Sequence, residues 1–286
     1  MADSSALPLP PPPSPHALSV RARERVVAAA AAADPLLAKL QRGLTATPAA
    51  LDLNLMTTQY GLQFLSELLL RVRLLPHPAA AALSSAIPTR LRTFASLISD
   101  IRTFNRLWGT LALLRWGVAT LEHPPADCVL RAIATCQVLA NLCFQPMENA
   151  AYLGGHSVLP LSKRTVGKLW TYSSRLWAVH VILELVRLAR EYGLARRAAK
   201  AKAVAVAAAT ANEKDITDMA VTDDTEAQSA VAARTLWARQ LIVNAAYFPM
   251  TIHWSLESAP LLSDLAIGLL GTIAGGTRLI PLWRSA

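Results

Sequence analysis

The sequence predicts an all-α fold: a helical membrane protein with amphipathic helices and one or more short apolar membrane segments near the C-terminus. Three observations predict it. No stretch shows the strict alternation of a half-buried strand, whereas apolar residues recur three and four apart along most of the chain. Hydrophobic residues make up 53% of the 286 and charged residues 16%, against about 45–50% and about 25% in soluble domains, and mean hydropathy is +0.33. The remaining charge is lopsided, with 28 Lys+Arg against 19 Asp+Glu and a net charge of +9. Such a surface suits an anionic lipid leaflet better than nucleic acid, because charge density is low and no nucleic-acid-binding motif is present.

Residues 1–19 form a proline-rich tail, MADSSALPLPPPPSPHALS, with no apolar core of a secretory signal. Its composition predicts a disordered or polyproline-like segment. Residues 20–195 read as a region of amphipathic and apolar helices. The first, residues 20–44, is interrupted at Asp34-Pro35. The second, residues 49–75, carries a stripe of Leu51, Leu55, Thr58, Leu62, Leu65, Leu69 and Val72, and Pro76 and Pro78 end it. A third begins near Pro88 and runs to about Leu121, where His123-Pro124-Pro125 terminates it. Residues 128–159 are long and apolar, with Pro146, Glu148 and Gly154-Gly155 interrupting their second half. The uncharged run Ala132–Met147 is shorter than the about 20 residues that span a bilayer. Residues 165–195 form another helix, with Arg187, Arg190, Arg196 and Arg197 gathered at its end.

Residues 196–230, first basic and then acidic, read as a charged linker, although its alanines favour an exposed helix. Residues 231–286 hold the anchoring helices, with apolar segments at Leu241–Leu256 and Leu261–Leu282. In the second, snorkelling Arg278 and interfacial Trp283 stretch a short run toward a marginal span.

Nothing in the chain argues for catalysis, a cofactor or a metal. The phosphate-cradling GxxxxGK[ST], dinucleotide GxGxxG, nucleophilic GxSxG and zinc-binding HExxH patterns are absent. The six histidines are scattered. His180 and Glu184 lie one helical turn apart, a spacing that is far more often structural than catalytic. Glu148 reads as a helix-end or loop acid at a membrane surface, with a buried functional acid as the rival. Cys128, Cys136 and Cys143, odd in number and without CxxC spacing, read as reduced core residues.

Two non-catalytic constellations remain. In residues 90–115, Leu91, Phe94, Leu97, Ile98, Ile101, Phe104, Trp108 and Leu111 share one side of a helix. Arg92, Ser99, Arg102, Thr103 and Arg106 occupy the other. The stripe faces either a bundle core or lipid, and the excess of arginine over acid on the polar face favours lipid. The second constellation is Gly268, Gly271 and Gly275, which fall on one face of an apolar segment and permit close helix–helix approach, hence self-association.

Five stretches in order, TTQYGLQFLSELL (57–69), SDIRTFNRLWG (99–109), QPMENAAYLGGHSVL (145–159), SSRLWAVHVILELVRLA (173–189) and IHWSLESAPLLSDLAIGLLGTIAG (252–275), resemble the peroxisomal biogenesis factor 11 (peroxin-11) family, especially its gamma or C-type branch. The resemblance implies a peroxisomal membrane protein with cytosolic termini that elongates and remodels the organelle membrane before fission. It further implies self-association and, as partners, the fission adaptor and the dynamin-related GTPase. In that family an amphipathic helix inserts into the outer leaflet, so the resemblance assigns lipid binding to Arg102, Phe104, Arg106, Leu107 and Trp108. The expectation is that the arginines hold lipid phosphates while the stripe, with Arg92, Phe94, Leu97, Ile98 and Ile101, wedges one leaflet. A small-solute pore in the same membrane and a soluble helical adaptor are the alternatives.

Overall fold

Pro15 opens the first helix of the computed structural model, which describes residues 15–45, 47–71, 78–210, 220–257 and 261–285. Among these residues the chain is all-α, without a strand. Its elements are α1 (Pro15–Thr45), α2 (Pro48–Arg71), α3 (Pro78–Asn105), a 3₁₀ turn (Arg106–Trp108), α4 (Gly109–Glu122), α5 (Cys128–Gly155), α6 (Lys163–Thr210), α7 (Ala220–Ser255) and α8 (Asp264–Ser285). Pro15, Pro48 and Pro78 each stand at a first helical position, where the missing N–H has no intrahelical partner to lose. Asp127 caps α5, its side chain accepting from the backbone N–H groups of Val129 and Leu130.

Several expected boundaries move. Asp34-Pro35 does not break α1, and Pro88 lies inside α3 rather than near its start. The expected linker is largely helical: α6 continues to Thr210 and α7 starts at Ala220, so the divisions at 195/196 and 230/231 fall inside helices. Alanine, the strongest helix former, dominates the basic half and carries α6 onward. Residues 1–14 of the proline-rich tail and 211–219 of the linker lie outside the described residues, while 15–19 belong to α1.

Helices adjacent in sequence are neighbours in space. α2 packs on α3, the 3₁₀ turn joins α3 to α4, α4 packs on α5, α5 on α6, α6 on α7 and α7 on α8. α8 then returns to α2 and closes a ring. One apolar core sits where α2, α7 and α8 meet, built from Leu53, Met56, Tyr60, Val243, Ala246, Met250, Ile267 and Ala274. α1 leans on this corner. The Gly43 carbonyl accepts from Asn54 at 2.8 Å, and Trp283 Nε1 donates to Asn54 Oδ1 at 3.2 Å.

Away from that corner the helices bury polar groups among apolar ones and leave large apolar side chains outside. α5 turns Gln137, Gln145 and Glu148 into the ring together with Ile133, Val138 and Tyr152, and leaves Cys136, Leu139 and Cys143 outside. α6 turns in Ser173, Val181 and Leu188 and leaves out Val179, Ile182 and Val186. In α2, buried positions include Gln59 and Ser66, while Leu51 and Leu65 of the predicted stripe point outward. The three cysteines, expected in a core, are all exposed. Paired polar groups inside and large apolar side chains outside suit a bundle whose solvent is hydrocarbon. Two helices, α5 and α8, are long and apolar enough to cross a membrane. The fold is that of an all-α membrane protein.

Candidate membrane interface and polar interior

The interface begins with the SDIRTFNRLWG stretch. α3 presents Phe94, Leu97, Ile101 and Phe104 outward, Phe94 at 52% exposure. The ridge continues through Trp108, which is 72% exposed, and along α4 through Leu111, Leu114, Val118 and Leu121. The opposite face of α3, with Ala95, Ile98 and Arg102, is buried against the bundle.

At Asn105 the α-helix gives way to the 3₁₀ turn, and α5 supplies partners for backbone carbonyls at the break. Gln145 Nε2 donates to Arg106 O at 3.0 Å, and Asn149 Nδ2 donates to Leu107 O at 3.3 Å. Glu148 accepts both Nε and an Nη of Arg106 at 2.9 Å, a bidentate pair. Phe104 leans on Tyr152 with ring centroids 6.4 Å apart, and His156 meets Asp100 at 3.1 Å. Two of the stretches that carry the family resemblance, SDIRTFNRLWG and QPMENAAYLGGHSVL, are therefore one interlocked joint.

This joint changes the expected role of the arginines. Arg102 is 8% exposed; its Nε donates to Asp52 at 2.8 Å and its Nη1 to Gln59 at 2.8 Å. Arg106 is committed to Glu148, and Arg92 pairs with Glu67 and Asp264. Carboxylates on α2, α5 and α8 pair with these guanidinium groups; Arg102 is buried by its pairing, while the side chains of Arg92 and Arg106 stay 46% and 38% exposed. Ile98 is buried at 3% exposure, and Leu107 is only partly exposed. Glu148 is not a surface acid at a helix end: it sits inside α5, 5% exposed and paired.

The glycine face closes on this chain's own α2. A Cβ on Gly268 would fall 2.6 Å from the backbone nitrogen of Phe64, one on Gly275 2.5 Å from Thr57 Oγ1, and one on Gly271 inside the Tyr60 ring. The TTQYGLQF stretch is thus the counterpart of GLLGTIAG, and the close approach expected between two copies is made between two helices of one.

Two open cavities indent the ring. One, of about 600 Å³, lies between α2, α3, α5, α6 and α7 and contains the Arg102 and Arg106 networks. The other, of about 910 Å³, opens between α2, α6, α7 and α8, with Trp116 of α4 and Gln137 of α5 at its wall, and is lined by Glu184, Arg187, Arg239 and Arg278 among others. Trp177, His180 and Tyr247 border both. Trp177 stacks on Trp254 with centroids 5.6 Å apart and lies equally close to Tyr247. His180 and Glu184 do not bind each other: His180 Nδ1 meets Asn141 at 2.9 Å, and Glu184 takes Arg187 and Gln137. Among the described residues no cluster of three His, Cys, Asp or Glu could hold a metal. The interior network, with Asn141, Gln145 and Asn149, was not singled out from sequence; the four-residue spacing of Gln137, Asn141, Gln145 and Asn149 is the signal that marks it.

An apolar ridge outside and paired charges inside define an all-α membrane protein. The peroxisomal biogenesis factor 11 (PEX11) family model matches residues 44–283, and the chain belongs to that family. Peroxisomal membrane protein 11C of Homo sapiens is 28% identical over 107 residues, 36% of this chain and 42% of that protein. An uncharacterized protein of Schizosaccharomyces pombe is 28% identical over 131 residues, 46% of this chain and 49% of that protein. The chain thus aligns with about half or less of the length of these curated relatives. No solved structure matches it. The family is one of peroxisome biogenesis factors, and the C-type resemblance agrees with the human relative.

Proposed function

We propose that the chain resides in the peroxisomal membrane, its termini in the cytosol, and elongates that membrane by seating the α3–α4 ridge in one leaflet. The observation that supports this reading is the ridge itself: one apolar line from Phe94 to Leu121 that stays exposed while the polar face beside it is paired within the chain. Burying a large apolar side chain contributes about 1.5–3 kcal/mol when complete. A half-exposed side chain gains about half of that, so the nine ridge residues outweigh an arginine's about 1 kcal/mol at an anionic surface. Apolar insertion therefore carries the binding, and the inserted volume in a single leaflet favours positive curvature. Copies self-associate along the drawn-out tubule, which passes to the fission adaptor and the dynamin-related GTPase. Full-length protein added to anionic liposomes tests this. Phe104→Glu with Trp108→Glu should abolish tubulation while helicity is retained. Tubulation at the parent level by that variant would overturn the wedge.

A second reading, passage of small solutes, is favoured by one observation: two cavities that share Trp177, His180 and Tyr247 as a common border inside a ring of helices. Conductance across a planar bilayer, compared with tubulation by the same preparation, separates the two.

A further inference from the structure

Helix α1 carries a leucine stripe that the bundle leaves bare. Leu36, Leu37, Leu40 and Leu44 fall within one sector of about 100° on a helical wheel. All four are exposed. Asp34, Lys39, Gln41 and Arg42 stand on the rest of the wheel. Leu36, Leu37 and Leu40 precede residues 44–283, so the stripe lies almost wholly outside the part of the chain matched to the family.

The last turn of α1 sets where this stripe sits. The Gly43 carbonyl accepts from Asn54 of α2 at 2.8 Å. Gly43 also lies against the indole of Trp283, where an added Cβ would fall 2.9 Å from the ring, so the α1 backbone meets the ring directly. Trp283 stands near the end of α8, one of the two helices apolar enough to cross a membrane. Tryptophan at the end of such a helix sits at headgroup level. Ile280, three residues earlier, still points outward, so the apolar side of α8 comes within about 4.5 Å of that level along the axis. The last turn of α1 is therefore held where hydrocarbon gives way to headgroups. From there the stripe runs back from Leu44 to Leu36 over about 12 Å. Lys39 and Arg42 against Asp34, with exposed Arg284 at the end of α8, give this corner a positive balance that suits anionic headgroups. An apolar stripe at that depth, with polar and charged residues on the remaining face, is what a helix lying in the membrane surface presents.

We propose that α1 is an interfacial helix that lays Leu36, Leu37, Leu40 and Leu44 into the acyl boundary of the leaflet at which α8 ends, with Gly43 on Trp283 as its fixed point. The occupant of this surface is lipid, continuous with the lipid around the outer face of α8. The proposal rests on the chain being a membrane protein and not on the α3–α4 wedge.

The full chain carrying Cys128→Ala, Cys136→Ala and Cys143→Ala tests this. One cysteine is introduced by Leu37→Cys, Leu40→Cys, Lys39→Cys or Gln41→Cys and labelled with a small fluorophore. Each protein is placed, one copy per disc, in nanodiscs of phosphatidylcholine and phosphatidylserine. Iodide quenches the label from water, and a lipid brominated high on its acyl chain quenches it from the boundary. Iodide should quench the two leucine positions at least about fivefold less than Lys39 and Gln41, because an ion does not enter the acyl region. The brominated lipid should show the reverse order. Phe104→Glu with Trp108→Glu in the same proteins should leave the pattern unchanged, so failure of the wedge and failure of the α1 contact read out separately. Helicity and elution volume verify that each variant is folded. Equal iodide quenching at all four positions would overturn the proposal, and with one copy per disc it is also the result expected if a second copy covers the stripe. Protection from iodide without quenching by the brominated lipid would place the stripe against protein and overturn it as well. A pattern lost with the ridge substitutions would overturn α1 as a contact of its own.

Discussion

At the residue scale the inward charges decide what a substitution does. Glu148 is buried against Arg106, whose own side chain is 38% exposed, so removing Arg106 leaves a buried carboxylate unpaired while removing Glu148 leaves an arginine that reaches outside. Arg106→Gln should destabilise the protein by about 3–5 kcal/mol and Glu148→Gln by less, read as lowered melting temperatures in detergent. Arg106→Glu combined with Glu148→Arg should recover part of the loss. A pure phosphate-binding role for Arg106 predicts the opposite pattern: a salt-dependent loss of lipid binding with an unchanged melting temperature. Asp127 offers a pH test at the mouth of α5. Its hydrogen bonds with Arg190, then with the backbone N–H of Leu130, hold its carboxyl below the usual value of 3.8. A depressed folded pKa contributes stability that is present above the unfolded value and is lost as pH falls through the folded one. Asp127→Ala should therefore lower the melting temperature at neutral pH, and the gap to the parent should close only in acid below the ordinary carboxylate range. A gap that persists unchanged there would remove the ion pair as its cause.

At the element scale α2 and α8 approach as closely as glycine allows. The added methyl of Gly268→Ala would meet the Phe64 backbone, which has no rotamer to move away. Overpacking of this kind costs about 1–3 kcal/mol. Gly61→Ala is the matched control, because a Cβ there meets nothing within 4 Å. Limited proteolysis in mild detergent should cut the Gly268 variant faster than the parent and leave the Gly61 variant at parental rates. If instead the Gly268 variant is cut at the parental rate but cross-links less between tagged copies, the face serves a second chain. The α3–α4 break shows the same economy at a different joint: Gln145 and Asn149 of α5 satisfy carbonyls of the 3₁₀ turn, so the apolar ridge bends without unpaired backbone.

At the scale of the whole molecule the decisive property is the apolar outer surface. Cys136, Leu139 and Cys143 share the outer face of α5, opposite Gln137 and Glu148. In a membrane, Cys136 and Cys143 should resist a charged, water-soluble maleimide, because the reagent does not enter hydrocarbon and the thiolate that reacts does not form there. They should react once the protein is unfolded in denaturant. Rapid labelling of the folded, membrane-bound protein would place α5 in water. Carbonate washing of a membrane fraction gives the parallel test: the protein should stay in the pellet.

Several features were fixed by sequence because they depend on local spacing alone. Three- and four-residue periodicity made the helices, proline and alanine composition set their starts and extensions, and the order of five short stretches marked the family. The stripe of Phe94, Ile101 and Phe104 opposite Arg102 and Arg106, and the shared face of Gly268, Gly271 and Gly275, were equally legible. What no spacing could supply was the partner of each face. A helical wheel places arginines opposite leucines but is silent on which side meets protein, since in water the apolar side turns in and in lipid the polar side does. Asp52 and Glu148 lie 50 and 42 residues from the arginines they neutralise, and Thr57, Tyr60 and Phe64 lie some two hundred residues from the glycines they cover. Only the closed ring brings those pairs together, and it therefore decided that Arg102 and Arg106 tie α3 to α2 and α5 and that the glycines seat α8 on α2.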